Sequence, residues 1–223
     1  MRKSILFVLV LLNTAIFAQD SLSQAGIFKV RLYVDKALTN KVMINSVNQT
    51  GGIYSSFRLP NPLKDSIMDL IVHTVKQQLY LDATYIYDLK SDGSKRTTME
   101  TGTYAGGFPK MTKKRAYFGY EEELYVKIKI KVTGFNGPSI GMSGVQYSNI
   151  HPSVKFKVKA FDIEKKKVYS KKIRLWDFEK IRSIQFSTPL TTVTNTNALN
   201  ADQIYQMIKH TILVFNEEAE RNR

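Results

Sequence analysis

Lysine alternates with apolar residues in two separate segments of the chain. The lysines are Lys127, Lys129 and Lys131 in the first segment and Lys155, Lys157 and Lys159 in the second. Because successive side chains of a β-strand point to opposite faces, each segment predicts a strand with three ammonium groups on one face. If the two strands are antiparallel neighbours, all six lysines lie on the same sheet face. Such an array of ammonium groups can bind an anionic partner by electrostatic attraction.

The same pattern has a second interpretation. Lysine is typical of the exposed face of a half-solvated sheet, where its long stem covers apolar surface and its charge discourages edge pairing. Like charges directly opposite one another destabilise a sheet by up to about 1 kcal/mol per pair. Lys29 and Arg31 would extend the array if the first strand joins the sheet. The sequence therefore leaves both a docking surface and a merely solvated surface open.

A second basic stretch lies within residues 101–120, where glycines and a proline accompany several aromatic side chains. This composition predicts a long, partly mobile connection. Long connections without regular structure are often functional, so the segment is a candidate arm for binding a partner, or else a loop whose aromatic side chains pack on the core. The candidate arm residues are Tyr104, Phe108, Lys113, Lys114 and Arg115.

Residue patterns for catalysis or metal binding are absent from the sequence. The chain contains no cysteine, which excludes disulfides, a thiol nucleophile and a lipid-modified cysteine. Its three histidines, His73, His151 and His210, form no closely spaced pair, and no phosphate-loop motif occurs. The sequence therefore predicts no metal site, no cofactor and no catalytic residue, and favours a non-catalytic protein. An exported hydrolase with an unrecognised active site and a carrier of an apolar ligand are the alternatives.

The first 18 residues have the pattern of a secretory signal peptide. Arg2 and Lys3 precede an apolar run over 5–12, and Ala18 provides the small residue needed before a cleavage site. The apolar run is shorter than the roughly 20 residues of a membrane-spanning helix, which argues against a retained anchor. The pattern predicts cleavage near Ala18 and a periplasmic or secreted protein.

Positive charge dominates the composition. The chain has 33 Lys and Arg against 19 Asp and Glu, a formal net charge of +14. Removing Arg2 and Lys3 with the signal peptide would leave +12. Such a surplus favours an anionic envelope component or another envelope protein as partner, and it is compatible with peripheral membrane association. Export argues against nucleic acid.

Residues 19–223 predict a single α+β domain: a mainly antiparallel sheet of about six strands, with two amphipathic helices packed on one face. One predicted helix has Asn61 as its N-cap and ends near Tyr80. The other follows Asn200, with Gln203 in capping-box position. Further predictions are a short helix over 177–183 and a loop over 188–200. Long glycine-containing loops are predicted over 101–120 and 134–153. Strands are predicted over 27–34, 41–47, 53–59, 83–89, 125–133, 154–163 and 168–175, and a return strand near 95–100 follows a turn at 91–94.

Overall fold

Residues 24–46, 49–50 and 57–221 are described by a computed structural model, and the predicted signal peptide lies outside these ranges. The described residues form an α+β structure, as the sequence predicts. Its helices are α1 (Lys36–Thr39), α2 (Asn61–Leu79), α3 (Lys113–Gly119) and α4 (Ala201–Arg221). Its strands are β1 (Gln24–Val34), β2 (Val42–Ser46), β3 (Gln49–Thr50), β4 (Asp82–Tyr85), β5 (Leu124–Asn136), β6 (Ile140–Met142), β7 (Val145–Phe161), β8 (Lys167–Leu175), β9 (Ile181–Ser187) and β10 (Thr191–Thr196).

The strands form one mixed sheet in the order β3-β2-β10-β9-β7-β5-β1-β4, with β6 and β8 also paired to β7. β1 is parallel to both of its neighbours, β4 and β5, whereas the other pairs are antiparallel. The prediction of a mainly antiparallel sheet is therefore corrected to a mixed one. The physical reason is connection length, because the chain between β1 and β4 includes α2 and is long enough to return in the same direction.

The longest strand, β7, joins two parts of the sheet. Its first residues pair with β9, and the rest of the strand pairs with β5 and β8. The predicted loop over 134–153 is consequently wrong, since β5, β6 and β7 occupy most of it. Its glycines reflect close packing as well as turns: a Cβ atom on Gly134 would lie 2.6 Å from the side chain of Ile150.

Two other local predictions are also wrong. The segment predicted as a short helix over 177–183 leads into β9, and the predicted Thr- and Asn-rich loop contains β10. Threonine favours a strand when a neighbouring strand is available, and β10 pairs with both β9 and β2. Of the strand predicted over 53–59, residues 53–56 lie outside the described residues, and 57–59 belong to no helix or strand.

The two long helices begin and end close to where the sequence predicts. α2 has Pro60 rather than Asn61 at its N-cap, and it ends before Tyr80, whose φ of 58° is left-handed. At the start of α4, the Asn200 side chain accepts a hydrogen bond from the Gln203 N–H at 2.8 Å, and the Gln203 side chain accepts one from the Asn200 N–H at 2.9 Å. This capping box is the predicted one. Within the described ranges, none of the helices has the length and apolar character needed to cross a membrane.

The buried side chains form two clusters. The larger contains apolar residues of β1, β5 and β7 together with those of α2 and α4, and within it the Phe215 ring meets the Phe156 ring edge-on at 4.9 Å. The smaller cluster contains Phe28, Tyr125 and side chains around α3. A β-bulge in β1 between Ile27 and Lys29 moves Phe28 into the smaller cluster, although simple alternation places it beside Val30.

Candidate functional site: a basic face of the sheet

Four neighbouring strands, β1, β5, β7 and β8, bring cations together in three rows across the sheet. The register aligns Lys29, Lys127 and Lys159 in the first row, Arg31, Lys129, Lys157 and Lys172 in the second, and Lys131, Lys155 and Arg174 in the third. We call these ten residues the basic face. Ser170 completes the first row and Tyr33 the third, so no carboxylate interrupts the array.

The structure thus brings all six lysines singled out in the sequence into direct cross-strand pairs, for example Lys129 opposite Lys157. Lys172 and Arg174 were missed, because the doublet Lys171-Lys172 obscures the alternation in β8. Lys171 belongs to the opposite face, where its Nζ donates to the backbone oxygen of Phe215 at 3.2 Å. Aligning β8 with its neighbour β7 would have identified Lys172 and Arg174, because these residues pair with Lys157 and Lys155.

The basic face is broad. Strands are about 4.8 Å apart and alternate residues of a strand about 6.8 Å apart, so four strands and three rows span roughly 14 Å in each direction. Seven of the cations line a groove of about 340 Å³ between their side chains. A surface of this extent suits an extended partner better than a small enclosed ligand.

Burial and the repulsion between neighbouring cations both act on the lysines of this face. Burial, followed by the charges of Arg31 and nearby lysines, lowers the pKa of Lys127. The pKa of Lys157 is lowered mainly by the charge of Lys159, and that of Lys155 by burial and then by Arg174. The ion pairs found among the described residues join other side chains. A bound anion would therefore relieve repulsion that the fold leaves uncompensated.

Aromatic rings border the third row. Lys131 Nζ lies 5.1 Å from the centroid of the Tyr33 ring, and the Arg174 guanidinium lies 4.9 Å from the Trp176 ring. Tyr104 meets Tyr33 edge-on at 5.4 Å. These contacts hold two of the cations at the rim of the face, and they place exposed aromatic surface next to them.

The segment over 101–120 is folded against β1 instead of forming a free arm. Met111 N–H donates to the Phe28 oxygen at 2.9 Å, and Ala105 N–H donates to the Leu32 oxygen at 3.1 Å. Phe108 is fully buried in the larger cluster, so it is not available to a partner. Backbone hydrogen bonds and the buried Phe108 ring thus join the segment to the sheet and the core, which agrees with the alternative of a loop whose aromatic side chains pack on the core.

The other candidate arm residues differ in their surroundings. Tyr104 is exposed beside Tyr33, and Lys114 is exposed on α3. Lys113 Nζ donates to the backbone oxygen of Lys165 at 2.6 Å, and Arg115 forms an ion pair with Asp88. The segment therefore contributes charge beside the basic face from fixed positions.

The histidines do not converge. His210 Nε2 lies 3.4 Å from a carboxylate oxygen of Asp177, and the described residues contain no group of three or more side chains suited to holding a metal ion.

Fold and site together define an α+β protein with a basic sheet surface. No protein-family model matches the chain, and no curated protein is significantly similar to it in sequence. The solved structures that resemble it include a protein from Helicobacter pylori described as a neuraminyllactose-binding hemagglutinin homolog. The two are 6% identical, with 89% of this chain and 86% of the other covered, and the TM-score is 0.39. A likeness at that level carries no argument about function.

Proposed function

We propose that this chain is an exported, non-catalytic binding module that docks through its basic face on an anionic component of the cell envelope. The observation that carries the proposal is the array of ten cations in three aligned rows without an intervening carboxylate. Repulsion within the array costs stability in the free protein. Docking on an anionic surface offsets that cost, whereas a purely solvated face gains nothing from it.

The arrangement of the core supports an exposed basic face. Val126 and Ile128 alternate with the lysines of β5 and belong to the cluster that also contains Ile71 of α2 and Ile208 of α4. We infer that both helices cover the face of the sheet opposite the lysines. The basic face then stays open to a partner across β1, β5, β7 and β8.

The signal peptide pattern over 1–18 supports the location of that partner. An exported protein meets anionic lipid headgroups and acidic envelope polymers rather than nucleic acid. Since the ten cations extend over four strands, we propose that the face docks on a surface such as a layer of anionic headgroups, which makes the protein peripherally membrane-associated. Each Lys or Arg near such a surface contributes about 1 kcal/mol.

The test measures sedimentation of the mature protein with vesicles of phosphatidylcholine containing 30 mol% phosphatidylglycerol, a composition chosen as the anionic probe. The triple variant Lys129→Glu, Lys157→Glu and Lys172→Glu reverses three of the four charges in the middle row of the face and keeps Arg31. At about 1 kcal/mol per cation, we expect it to weaken binding by at least about 100-fold. The matched control, Lys41→Glu, Lys180→Glu and Lys209→Glu, changes the net charge equally but alters residues outside the basic face, and we expect it to keep most of the binding.

Salt provides the second measurement. Raising NaCl from 0.1 to 1 M shortens the Debye length from about 10 to about 3 Å, so wild-type binding should fall steeply. Equal losses in the two triple variants would show that net charge, not the basic face, attracts the vesicle. Absence of wild-type binding both to these vesicles and to heparin would overturn the proposal. Crosslinking in cells then identifies the natural partner, and partners unchanged by the middle-row variant would also contradict it.

A further inference from the structure

A separate cleft of about 670 Å³ opens beside the first row of the basic face. It lies between β1, the turn-containing segment that follows β4, and the residues that lead into α3. One carboxylate, Asp88, and six cations line it. The cations are Lys29, Lys90, Lys95, Arg96, Lys110 and Arg115. Its volume is in the range of small-molecule binding sites.

Asp88 forms ion pairs with two of these cations, Arg96 and Arg115. Its Oδ2 atom accepts a hydrogen bond from Nη1 of Arg115 and lies 3.5 Å from Nε of Arg96. The carboxylate is only 18% exposed, so both arginines are tied to a largely buried acceptor. A guanidinium has five N–H donors, and the contact with Asp88 leaves most of them available on each arginine. Fixing the two groups in advance lowers the entropy lost when a ligand binds.

Two lysines line the same cleft as this arginine pair. Lys29 of β1 forms an antiparallel bridge with Lys110, and both line the cleft. Burial and the charges of Arg31, Lys127 and Lys110 lower the pKa of Lys29. Cations therefore converge on one concave volume from three segments that are distant in sequence.

We infer that the cleft binds a phosphate monoester. Such a group has three acceptor oxygens and a charge of about −1.5 to −2 at neutral pH. Two guanidinium groups and a neighbouring ammonium can therefore engage it together, by charge-assisted hydrogen bonds. A carboxylate has a single charge and satisfies fewer of these donors. The inference goes beyond the proposed function, because the cleft can bind a soluble monoester whether or not the basic face docks on a surface.

Isothermal titration calorimetry of the mature protein with glucose 6-phosphate tests the inference, with glucuronate as the carboxylate comparison. We expect saturable binding of glucose 6-phosphate, and glucuronate binding weaker by about tenfold, the equivalent of one charge-assisted hydrogen bond. Arg115→Lys keeps the charge but removes the planar fork, and we expect a loss of about tenfold or more. Arg182→Lys, on the exposed side of β9 and away from the cleft, is the matched control and should bind normally.

The affinity of the Asp88→Asn variant for glucose 6-phosphate distinguishes binding at an ordered site from attraction by the overall positive charge. The change makes the protein more positive by one charge, so diffuse attraction predicts tighter binding of glucose 6-phosphate. An ordered arginine pair predicts weaker binding, because both guanidinium groups lose their anchor. Thermal denaturation checks that the variant is folded, and if it is not, the comparison of Arg115→Lys with Arg182→Lys decides. Absence of saturable binding by the wild type, or tighter binding by Asp88→Asn together with unchanged binding by Arg115→Lys, would overturn the inference.

The monoester could be soluble or carried by a lipid. Vesicles of phosphatidylcholine with 20 mol% phosphatidic acid, a chosen composition, provide the lipid-borne form. Because the basic face itself is proposed to bind anionic vesicles, this arm uses the Lys129→Glu, Lys157→Glu and Lys172→Glu variant. Its displacement from the vesicles by glucose 6-phosphate supports a site that takes a lipid headgroup, and absence of vesicle binding beside saturable binding in solution supports a soluble ligand. The two proposals fail separately, since phosphatidylglycerol vesicles report on the basic face and calorimetry reports on the cleft.

Discussion

The carboxyl group of Glu122 lies at the edge of the smaller apolar cluster, where a charge is expensive. The residue is 8% exposed, and Oε2 has no hydrogen-bond partner among the described residues. Its backbone N–H donates to the Tyr125 hydroxyl at 3.3 Å. Burial raises the pKa of Glu122, because the ionised form loses water without gaining a counter-charge. At neutral pH this one side chain therefore lowers the stability of the fold.

Replacing Glu122 by Gln should stabilise the protein at pH 7. The folded chain holds the Glu122 proton more tightly than the unfolded chain does, so the free energy of unfolding falls as pH rises from the ordinary glutamate pKa through the raised one. We expect Glu122→Gln to raise Tm at pH 7 and to lose this advantage near pH 4. Thermal denaturation followed by circular dichroism between pH 4 and 8 measures it.

Glu123→Gln is the control, since it removes the same charge from an exposed neighbouring position and should leave Tm nearly unchanged. A lower Tm for Glu122→Gln at pH 7 would show instead that the carboxylate stabilises the fold through a favourable interaction.

At the scale of elements, the 101–120 segment extends the sheet beside β1. Its backbone hydrogen bonds to Phe28, Val30 and Leu32 continue the edge beyond the end of β4. Two phenylalanines of this segment have opposite environments: Phe108 is 0% exposed and Phe118 is 95% exposed. The segment is therefore anchored by one aromatic side chain and displays another.

The two phenylalanines give a matched prediction. Phe108→Ala should lower the free energy of unfolding by about 3–5 kcal/mol, the usual cost of emptying a buried aromatic site. Phe118→Ala should change it by less than about 0.5 kcal/mol, as expected for an exposed position. Urea denaturation measures both. Similar effects of the two substitutions would contradict the anchored arrangement.

Amide hydrogen exchange tests the same segment without a substitution. The N–H groups of Ala105 and Met111 donate to carbonyl oxygens of β1, so they should exchange much more slowly than in an unstructured peptide. Exchange at the unstructured rate would show that the segment behaves as the mobile arm expected from its composition.

The strands of the basic face were predictable because they have one buried side. A shift of one residue would move Val126 and Val158 into water and their lysines into the core, so burial fixes the face that the lysines occupy. The bulge at Phe28 and the parallel pairing of β1 were not predictable, because alternation does not specify a strand's neighbours.

The cleft was also beyond sequence reasoning, since Lys29, Asp88 and Arg115 meet only through tertiary packing.

At the scale of the whole molecule, the positive charge is unevenly distributed. Ten of the 31 Lys and Arg residues that would remain after cleavage belong to the basic face. The cleft adds five further cations beside it, since Lys29 belongs to both sites. Close to half of the cations are thus gathered around one side of the sheet, which focuses the electrostatic potential there.

This distribution acts on an envelope surface only if the protein is exported, and cleavage is the step that can be measured. β1 begins at Gln24, so cleavage after Ala18 leaves all of the described strands intact. We expect mass spectrometry of the protein from an exporting host to show an N-terminal peptide that starts at Gln19.

Ala18→Leu should accumulate the uncleaved precursor, because signal peptidase requires a small residue there. Ala15→Leu, with the same change three residues earlier, should be processed normally. A protein that keeps Met1 while fractionating with the cell envelope would contradict cleavage and indicate a retained N-terminal anchor.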